Sequence, residues 1–473
     1  MSSIDDITAS YRGGHRSPVE VVSASLAAIA QSDVDDPPLR AIILPIDHTA
    51  RREAEASTQR WKTAEPLSPL DGVPYVIKDN TDIAGQPTTA GSVIPLPIPQ
   101  TDAWVVDRLR KAGAICVGKA NMHEIGAGTT GINPHHGTPR NAWDDRRWCG
   151  GSSSGSASAV GAGLVPLSVG TDAGGSIRAP ASFVGAVGLK PTFGRISRVG
   201  MAILCDTLDH LGPIATSCRD AALAYVAMAG VNPDDDETWD QPALPAYDEI
   251  DGLLAASVKG LRIGIAPRSL DSHLIHPGVA AHVKRAAAIL VDAGAELVQV
   301  ELPDAERSLF IGLVLLGAEG PSGLEYLIDE HLDRLGADFQ IMWRIGAHFT
   351  ARDYLKAQRI RNQIRAEWSS IFQEIDLMVH ASAGFPAGII HADALLTGEL
   401  DEATSQRAIA QTFPSNLTGY PAVSVPSGLV DGMPAGVQLI ARPWDEMLTL
   451  RAGATLERAG LFDAGRPPRW YGT

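Results

Sequence analysis

The chain has 473 residues and a formal net charge of −16; 45% of its residues are hydrophobic and 20% are charged. This composition is typical of a globular protein and excludes a disordered one, while the acidic balance argues against nucleic acid as a partner, which normally requires a basic surface. The length exceeds that of one ordinary core, so two lobes or one large α/β domain are both open.

Cysteine usage and hydropathy indicate the compartment. The four cysteines lie far apart and form no CxxC pair, which favours reduced thiols in a cytoplasmic protein. The first residues, MSSIDDITASYRGGHRSP, carry acidic side chains and lack the apolar centre of a signal peptide. The longest apolar run, residues 309–316, is too short to cross a bilayer. We therefore expect a cytoplasmic protein with no membrane contact.

The first half of the chain alternates helices with buried strands. Ser17, Pro18 and Glu20 form an N-cap, a proline at the first helical position and a capping box, and they predict a helix that begins at once. Residues 73–78 (VPYVIK) form an apolar, strand-like run, and residues 114–118 (AICVG) form another after a helical segment. This alternation predicts an α/β fold.

The second half continues the alternation after an acidic, proline-broken surface connection, VNPDDDETWDQPALPAYDEID. The predicted elements are a strand in 260–267, a helix over 276–293, the strand ELVQVELP, a helix over 352–372, and strands in 376–381 and 420–428.

Residues 150–178 read GGSSSGSASAVGAGLVPLSVGTDAGGSIR, two glycine–serine clusters around an alanine-rich segment. A flexible linker would not contain so many apolar residues or run into the strand-like FVGAVGLKP. Dense glycine in ordered chain marks close backbone approach. We expect the stretch to be ordered and buried around its serine hydroxyls.

Several short motifs are set aside. Residues 113–119 (GAICVGK) resemble a phosphate-binding loop, but no Ser or Thr follows the lysine, and residues 126–131 match GxGxxG without a preceding strand. His135 and His136 have no partners spaced for a metal site, so no metal is expected.

The segment GSSSG, residues 151–155, formally matches the nucleophile elbow of another hydrolase fold, with Ser153 at its centre. An elbow needs a strand before it, and WDDRRWCG is not expected to form one. A hydrolase that uses Ser153 remains an alternative.

Three distant residues supply a more complete chemistry. Lys78 ends an apolar strand, where burial lowers the pKa of a lysine toward that of a usable base. Ser152 and Ser176 each follow a Gly-Gly pair, and Ser–Lys arrangements are a known way to activate a hydroxyl. The backbone N–H groups around Gly174 and Gly175 are unobstructed by side chains, as an oxyanion pocket requires.

Residues 150–200 closely resemble the signature of the amidase signature family. The resemblance covers nearly the whole chain and is weakest at about 234–250 and 308–413. It implies a single large domain over 1–473 with a mixed central β-sheet covered by helices, a signature core at about 65–220, and a substrate-determining region at about 300–415. Further matching segments are LDGVPYVIKDN, GKANMHEI, LDHLGPIA, NLTGYPAVSVPSG and GMPAGVQLIARPWDE.

The resemblance also implies roles. Ser176 matches the nucleophile, Ser152 the bridging serine after a cis peptide bond, and Lys78 the general base. The implied oxyanion donors are the amides of Ala173, Gly174, Gly175 and Ser176. Residues that fall on supporting positions are Thr171, Asp172 and Arg178, of which Arg178 is expected to be a structural partner rather than a substrate contact.

The implied activity is hydrolysis of a small-molecule carboxamide to a carboxylate plus ammonia or an amine through a serine acyl-enzyme, without a cofactor. Aryl amides, carbamates, hydrazides or esters are further possible substrates, and a homodimer is possible. Alternatives are a glutaminase subunit of a tRNA-dependent amidotransferase, a urea- or allophanate-type amidohydrolase, and a noncatalytic binding homologue. The glutaminase subunit carries a motif resembling ASSNLARYDGVRYG, where this chain has LGAEGPSGLEYLIDE. A noncatalytic homologue would lack Lys78, Ser152 or Ser176, and all three are present.

The substrate pocket is expected among the less matched residues. An apolar pocket would indicate an apolar or aryl acyl group. The candidate lining residues are Gly126, Ala127, Gly128, Thr129, Ile203, Leu316, Trp343, Phe385 and Ile389.

Overall fold

The strands form one large sheet and a small hairpin. A computed structural model describes residues 3–321, 323–398 and 402–472. The strands within these residues are β1 (Ile42–Pro45), β2 (Pro74–Lys78), β3 (Ile115–Ala120), β4 (Arg140–Asn141), β5 (Asp144–Trp148), β6 (Leu167–Asp172), β7 (Val187–Lys190), β8 (His210–Ala215), β9 (Arg262–Ile265), β10 (Glu296–Gln299), β11 (Leu377–Ala381), β12 (Ala422–Val430) and β13 (Met433–Ala441).

Eleven strands join in the order β1-β3-β2-β6-β8-β7-β12-β13-β11-β9-β10, and β4 pairs with β5 apart from them. The sheet is mixed: β3, β2 and β6 run parallel, β6 to β11 are linked by antiparallel pairs, and β11, β9 and β10 are parallel again. One sheet therefore runs through the whole molecule, so of the two architectures left open by length, the single large α/β domain is confirmed.

Helices cover both faces of the sheet. They are α1 (Ile4–Arg12), α2 (Pro18–Val34), α3 (Asp47–Lys62), α4 (Trp104–Lys111), α5 (Ser154–Gly161), α6 (Arg178–Val184), α7 (Cys218–Met228), α8 (Ile250–Ala255), α9 (Pro267–Leu270), α10 (Pro277–Asp292), α11 (Ala305–Glu319), α12 (Glu325–His331), α13 (Ala337–Gly346), α14 (Ala351–Glu374), α15 (Ala394–Thr397), α16 (Glu402–Ile409), α17 (Phe413–Thr418) and α18 (Glu446–Arg458). In the part of the chain described, no helix is both long and apolar enough to span a membrane.

The alternation of side chains along β2 shows how the layers form. Tyr75 and Ile77 belong to the apolar cluster that includes α7, α10 and α18, whereas Val76 belongs to the cluster that includes α2 and α5. Successive residues of a strand face opposite sides of its sheet, so β2 is buried on both faces. Lys78 ends this strand and is itself fully buried.

The sequence predictions for the regular elements hold in most places. Helix α2 begins with the predicted capping box between Ser17 and Glu20, and the predicted strands and helices of both halves form close to their expected bounds. Two predictions were wrong. Residues 183–184 end α6, so FVGAVGLKP is a strand only at β7. The segment WDDRRWCG does contain a strand, β5, which is stabilised by pairing with β4.

Candidate active site

The sheet brings Lys78 next to the glycine–serine stretch. Strands β2 and β6 are parallel neighbours, so their carboxyl ends, Lys78 and Asp172, lie at the same edge of the sheet. Ser152 precedes α5 and Ser176 precedes α6. The two serine-bearing loops are joined by a backbone hydrogen bond, in which the Ser153 amide donates to the Ser176 carbonyl over 3.3 Å.

Lys78 contacts two hydroxyl groups. Its Nζ lies 2.7 Å from Ser152 Oγ and 2.6 Å from Thr171 Oγ1. Burial lowers the pKa of Lys78 to about 7, although the nearby carboxylates of Asp209 and Asp172 oppose part of that shift. Near neutral pH a large share of this lysine therefore carries a lone pair, which can accept the hydroxyl proton of Ser152.

Ser152 is held from several sides. The Gly151–Ser152 peptide bond is cis, as the resemblance implies. The Ser152 carbonyl accepts a 3.0 Å hydrogen bond from the amide of His123, and the Gly151 amide donates to the Thr129 carbonyl over 2.6 Å. A Cβ atom added to Gly126 would lie 3.7 Å from Ser152 Oγ. Ser152 is buried, whereas Ser176 is partly exposed, so Ser176 is the more accessible of the two hydroxyl groups.

The backbone amides of residues 173–176 differ in whether they already donate a hydrogen bond within the protein. The Gly175 amide donates to Asp172 Oδ1 over 2.7 Å, so the expectation that all four predicted oxyanion donors are available is corrected at Gly175. The amides of Ala173, Gly174 and Ser176 have no acceptor among the residues that the structure describes. Three amides along one short loop are therefore able to donate to an anion.

Glycine is required here because the loop is tightly packed. A Cβ atom on Gly174 would lie 2.6 Å from the ring of Phe413, and one on Gly175 would lie 2.2 Å from Thr412 Oγ1. The φ angle of Gly175 is also positive, at 139°, in the region that favours glycine. The Thr412 hydroxyl donates to the Gly174 carbonyl over 2.6 Å. The segment before and at the start of α17 thus fixes the path of the loop.

Asp172 and Arg178 form a fully buried ion pair beneath this loop. Two guanidinium nitrogens donate to the two carboxylate oxygens, each over 3.0 Å. Burial by itself raises the pKa of Asp172, but the charge and hydrogen bonds of Arg178 outweigh it and the pKa lies below its usual range. The remaining donors of Arg178 also bind protein atoms, as a supporting role requires. Their acceptors are Thr412 O, Ser415 Oγ, Gln438 Oε1 and Asn416 Oδ1.

Ser153 is placed unlike an exposed nucleophile. Its hydroxyl donates to the Thr171 carbonyl over 3.1 Å and accepts from the Thr171 amide over 3.2 Å, and the residue is fully buried. The hydroxyl therefore bridges α5 to β6.

The predicted pocket residues do not all gather at the serines. Gly126 lies against Ser152, as described above, and a Cβ atom on Gly128 would meet the His123 ring at 2.1 Å. Ala127 is partly buried between two apolar clusters, one that includes Phe413 and one that includes Phe339. These residues of the 126–129 turn therefore form a wall beside Ser152.

The other predicted pocket residues lie in different apolar clusters or near the surface. Leu316, on α11, packs against the cluster that contains Phe413, and Trp343, on α13, packs against the cluster that contains Phe339. Ile203 packs against the large cluster beneath the sheet. Phe385 instead makes an edge-to-face contact with His276 and lies beneath the guanidinium of Arg407. Ile389 is 40% exposed and forms a β-bridge with Arg147 of β5.

Sequence reasoning missed Asp209, which lies within the motif LDHLGPIA. It is buried and accepts from the amides of Leu204 and Cys205 over 2.6 and 3.1 Å. Burial raises its pKa to about 6. An acidic residue directly before a buried strand was the available signal. Among the residues described, no group of three or more His, Cys, Asp or Glu side chains is placed to hold a metal ion.

The single mixed sheet thus defines a large α/β domain that brings a buried lysine and two serine-bearing loops together at the ends of β2 and β6. Residues 20–450 match the family model described as Amidase, and the chain belongs to the amidase family.

Individual relatives differ in activity. The chain is 37% identical to fatty acid amide hydrolase of Medicago truncatula, over 99% of this chain and 78% of that protein. It is 36% identical to a glutamyl-tRNA(Gln) amidotransferase subunit from Chloroflexus aggregans, over 96% of this chain and 95% of that protein. A solved structure from work on a vestigial protein complex and the origins of an s-triazine catabolic enzyme matches with a TM-score of 0.89 and 34% identity, over 98% of this chain and 100% of that one. The family is therefore clear, while these names alone do not select one substrate.

Proposed function

We propose that this protein hydrolyses a small-molecule carboxamide with an apolar acyl group, through an acyl-enzyme on Ser176. The observation that carries the proposal is the 2.7 Å contact between Ser152 and a fully buried Lys78 with a lowered pKa. A buried lysine whose pKa is lowered toward neutral pH and that faces a hydroxyl is arranged as a base.

In this mechanism Lys78 accepts a proton from Ser152 as Ser152 accepts one from Ser176. The Ser176 oxygen attacks the amide carbon, and the resulting oxyanion is stabilised by the amides of Ala173, Gly174 and Ser176. The relay then returns a proton to the leaving nitrogen, the C–N bond breaks, and an ester to Ser176 remains. Water attacks that ester with the help of the same base and releases the carboxylic acid.

An apolar acyl group is favoured by the surroundings of the 126–129 turn. Ala127 and Met342 are partly buried apolar residues that each pack against both neighbouring clusters. Leu204 adjoins Gly126. An acyl chain on Ser176 that extends past Ser152 on this side would meet apolar surface, whose burial contributes roughly 25 cal/mol per Å².

A second candidate is the glutaminase subunit of an amidotransferase, because a relative with an amidotransferase name is 36% identical over nearly its full length. Glutamine has a charged α-carboxylate and ammonium, whereas Ala127, Leu204 and Met342 at or beside the turn are apolar. The two candidates predict opposite preferences between glutamine and an apolar amide.

The test is a turnover screen of the purified chain with glutamine, primary aliphatic amides, anilides, ureas, carbamates and hydrazides. We expect hydrolysis of an apolar amide, and we expect Ser176→Ala to lose at least about 10³-fold in kcat, as loss of a nucleophile does in serine hydrolases. Ser153→Ala is the matched control, because it removes a neighbouring hydroxyl that is bonded to β6 backbone, and it should retain most of the activity.

Glutaminase activity that appears only with an added partner subunit would favour the second candidate. Near wild-type turnover by Ser176→Ala would refute the mechanism, and selective loss in Ser153→Ala would assign the reaction to the other serine.

A further inference from the structure

The segment of residues 123–129, which ends in the 126–129 turn beside Ser152, is attached to a distant part of the chain. His123 Nε2 lies 3.0 Å from Asp338 Oδ2, although 215 positions separate the two residues. The neighbouring Glu124 accepts a 2.7 Å hydrogen bond from the amide of Gly336 and lies 2.6 Å from His135 Nε2. Two consecutive residues of this segment, His123 and Glu124, are thus joined to the start of α13.

The same turn contacts Ser152 directly. The His123 amide donates to the Ser152 carbonyl over 3.0 Å, and Gly126 approaches Ser152 Oγ. Between them Ile125 has a φ angle of 53°. A β-branched residue in the left-handed region is unfavourable and persists only where its surroundings hold it. The conformation of this turn therefore depends on its neighbours.

Those neighbours come mainly from α12 and α13. Ile125 is buried in a small apolar cluster with Ile328, Leu335 and Phe339, separate from the larger clusters of the sheet. The three partners lie on or between the two helices, in the region where resemblance to the family is weakest. A small cluster of this kind contributes less to stability than the main core.

The imidazole of His123 depends on Asp338 for its orientation. The ring is 2% exposed, and its Nδ1 atom has no hydrogen-bond partner among the described residues. The ring also lies against Gly128, where a Cβ atom would come within 2.1 Å of Nε2 and Cε1. The ring is thus in contact with both a carboxylate of α13 and the backbone of the 126–129 turn.

We propose that His123 and Asp338 form a positioning pair that fixes the acyl-side wall of the pocket, formed by the 126–129 turn and Met342. The pair thereby determines selectivity for the length of the acyl group. This inference rests on the proposed amide hydrolysis. A short acyl group on Ser176 contacts less of this wall than a longer apolar chain does. Release of α13 therefore affects long-chain substrates most.

The test measures kcat and KM for anilides of acetic, butyric, hexanoic and octanoic acid. In Asp338→Ala we expect KM for the octanoyl substrate to rise at least tenfold, with kcat/KM for the acetyl substrate changed less than about threefold. Gly128→Ala places a Cβ atom against the His123 ring, which must then leave its present position beside Asp338, and should produce the same length-dependent change. Asp338→Asn retains an acceptor for Nε2–H and should recover most of the selectivity.

The matched control is Asp333→Ala, which removes an exposed carboxylate from the same part of the chain. It should leave the length dependence unchanged. Hydrogen–deuterium exchange of residues 123–128 should increase in Asp338→Ala and Gly128→Ala and not in Asp333→Ala.

The outcomes separate the two hypotheses. If the wild type cleaves none of these anilides and no other apolar amide, the proposed function fails. If it cleaves them and Asp338→Ala alters every chain length by the same factor, or alters none, the positioning pair is refuted. If Gly128→Ala keeps the wild-type length dependence while Asp338→Ala loses it, the role of the His123 ring is refuted.

Discussion

The pH dependence of activity follows from the position of Lys78. An ordinary lysine has a pKa near 10.5, and burial lowers that of Lys78 to about 7. At pH 7 about half of the molecules then carry a neutral lysine, compared with about 3 in 10,000 for an exposed one. Burial therefore raises the concentration of the active base about a thousandfold. We expect kcat/KM to rise with pH up to about 7 and then to level off.

Asp209 provides the perturbation. Its carboxylate stabilises the protonated form of Lys78 and so raises the pKa of that lysine. Asp209→Asn removes the charge while its amide oxygen can still accept from the amides of Leu204 and Cys205. The pKa of Lys78 should fall, and the acidic limb should move to lower pH by on the order of one unit.

The assay is kcat/KM between pH 5 and 9 for the best amide found in the screen, under conditions where acylation limits the rate. Asp220→Asn is the matched control, because Asp220 is another buried carboxylate whose pKa is raised to about 6 by burial, and it is not among the groups that shift Lys78. Lys78→Arg should lose the limb and the activity together, since a guanidinium does not deprotonate. A flat profile, a shift toward higher pH in Asp209→Asn, or an equal shift in Asp220→Asn would contradict the reasoning.

Two further predictions concern stability. Because folding lowers the pKa of Lys78, the unfolded chain binds more protons than the folded chain between about pH 7 and 10.5. The free energy of unfolding should therefore increase with pH over that window, by up to about 5 kcal/mol more than in Lys78→Met. Parallel curves of unfolding free energy against pH for the two proteins, measured by urea titration, would contradict this. Arg178→Met leaves the buried Asp172 carboxylate unpaired and should cost about 3–5 kcal/mol in the same assay, whereas an unchanged midpoint would show that Asp172 does not need its partner.

Local patterns in the sequence were sufficient for much of the fold. The capping box of α2 and the apolar runs of β2 and β3 are stabilised by neighbours close in the chain or by burial on both faces, so their patterns are visible. Strand β5 reads DDRRW and has no such pattern. It forms because β4 pairs with it, which is a tertiary effect that propensity does not encode.

The candidate site divides in the same way. The contact of Lys78 with Ser152 crosses 74 positions of the sequence, but both residues lie in segments that resemble the family signature, and that resemblance predicted that they act together. Asp338 lies in no such segment. An acidic residue at the start of a helix is usually explained by its favourable interaction with the helix dipole, so its sequence position does not indicate a link to His123. Its link to His123 depends on the docking of α12 and α13. For the same reason Phe385 and Ile389 were indistinguishable in sequence from apolar residues that face a pocket.

The arrangement separates the chemistry from the choice of substrate. In the proposed mechanism Lys78 lies on the central strand β2 and Ser176 follows β6, and the buried pair of Asp172 and Arg178 anchors the loop of residues 173–176 to α17. The wall beside Ser152 depends instead on a small apolar cluster and on side-chain links to α13. Asp338 of α13 contacts the side chain of His123, whereas Ser152 is bonded to the backbone amide of His123, so a change in α13 reaches Ser152 and Lys78 only indirectly. We therefore expect changes in α12 and α13 to alter KM and acyl preference, and changes near β2 or β6 to alter kcat for every substrate.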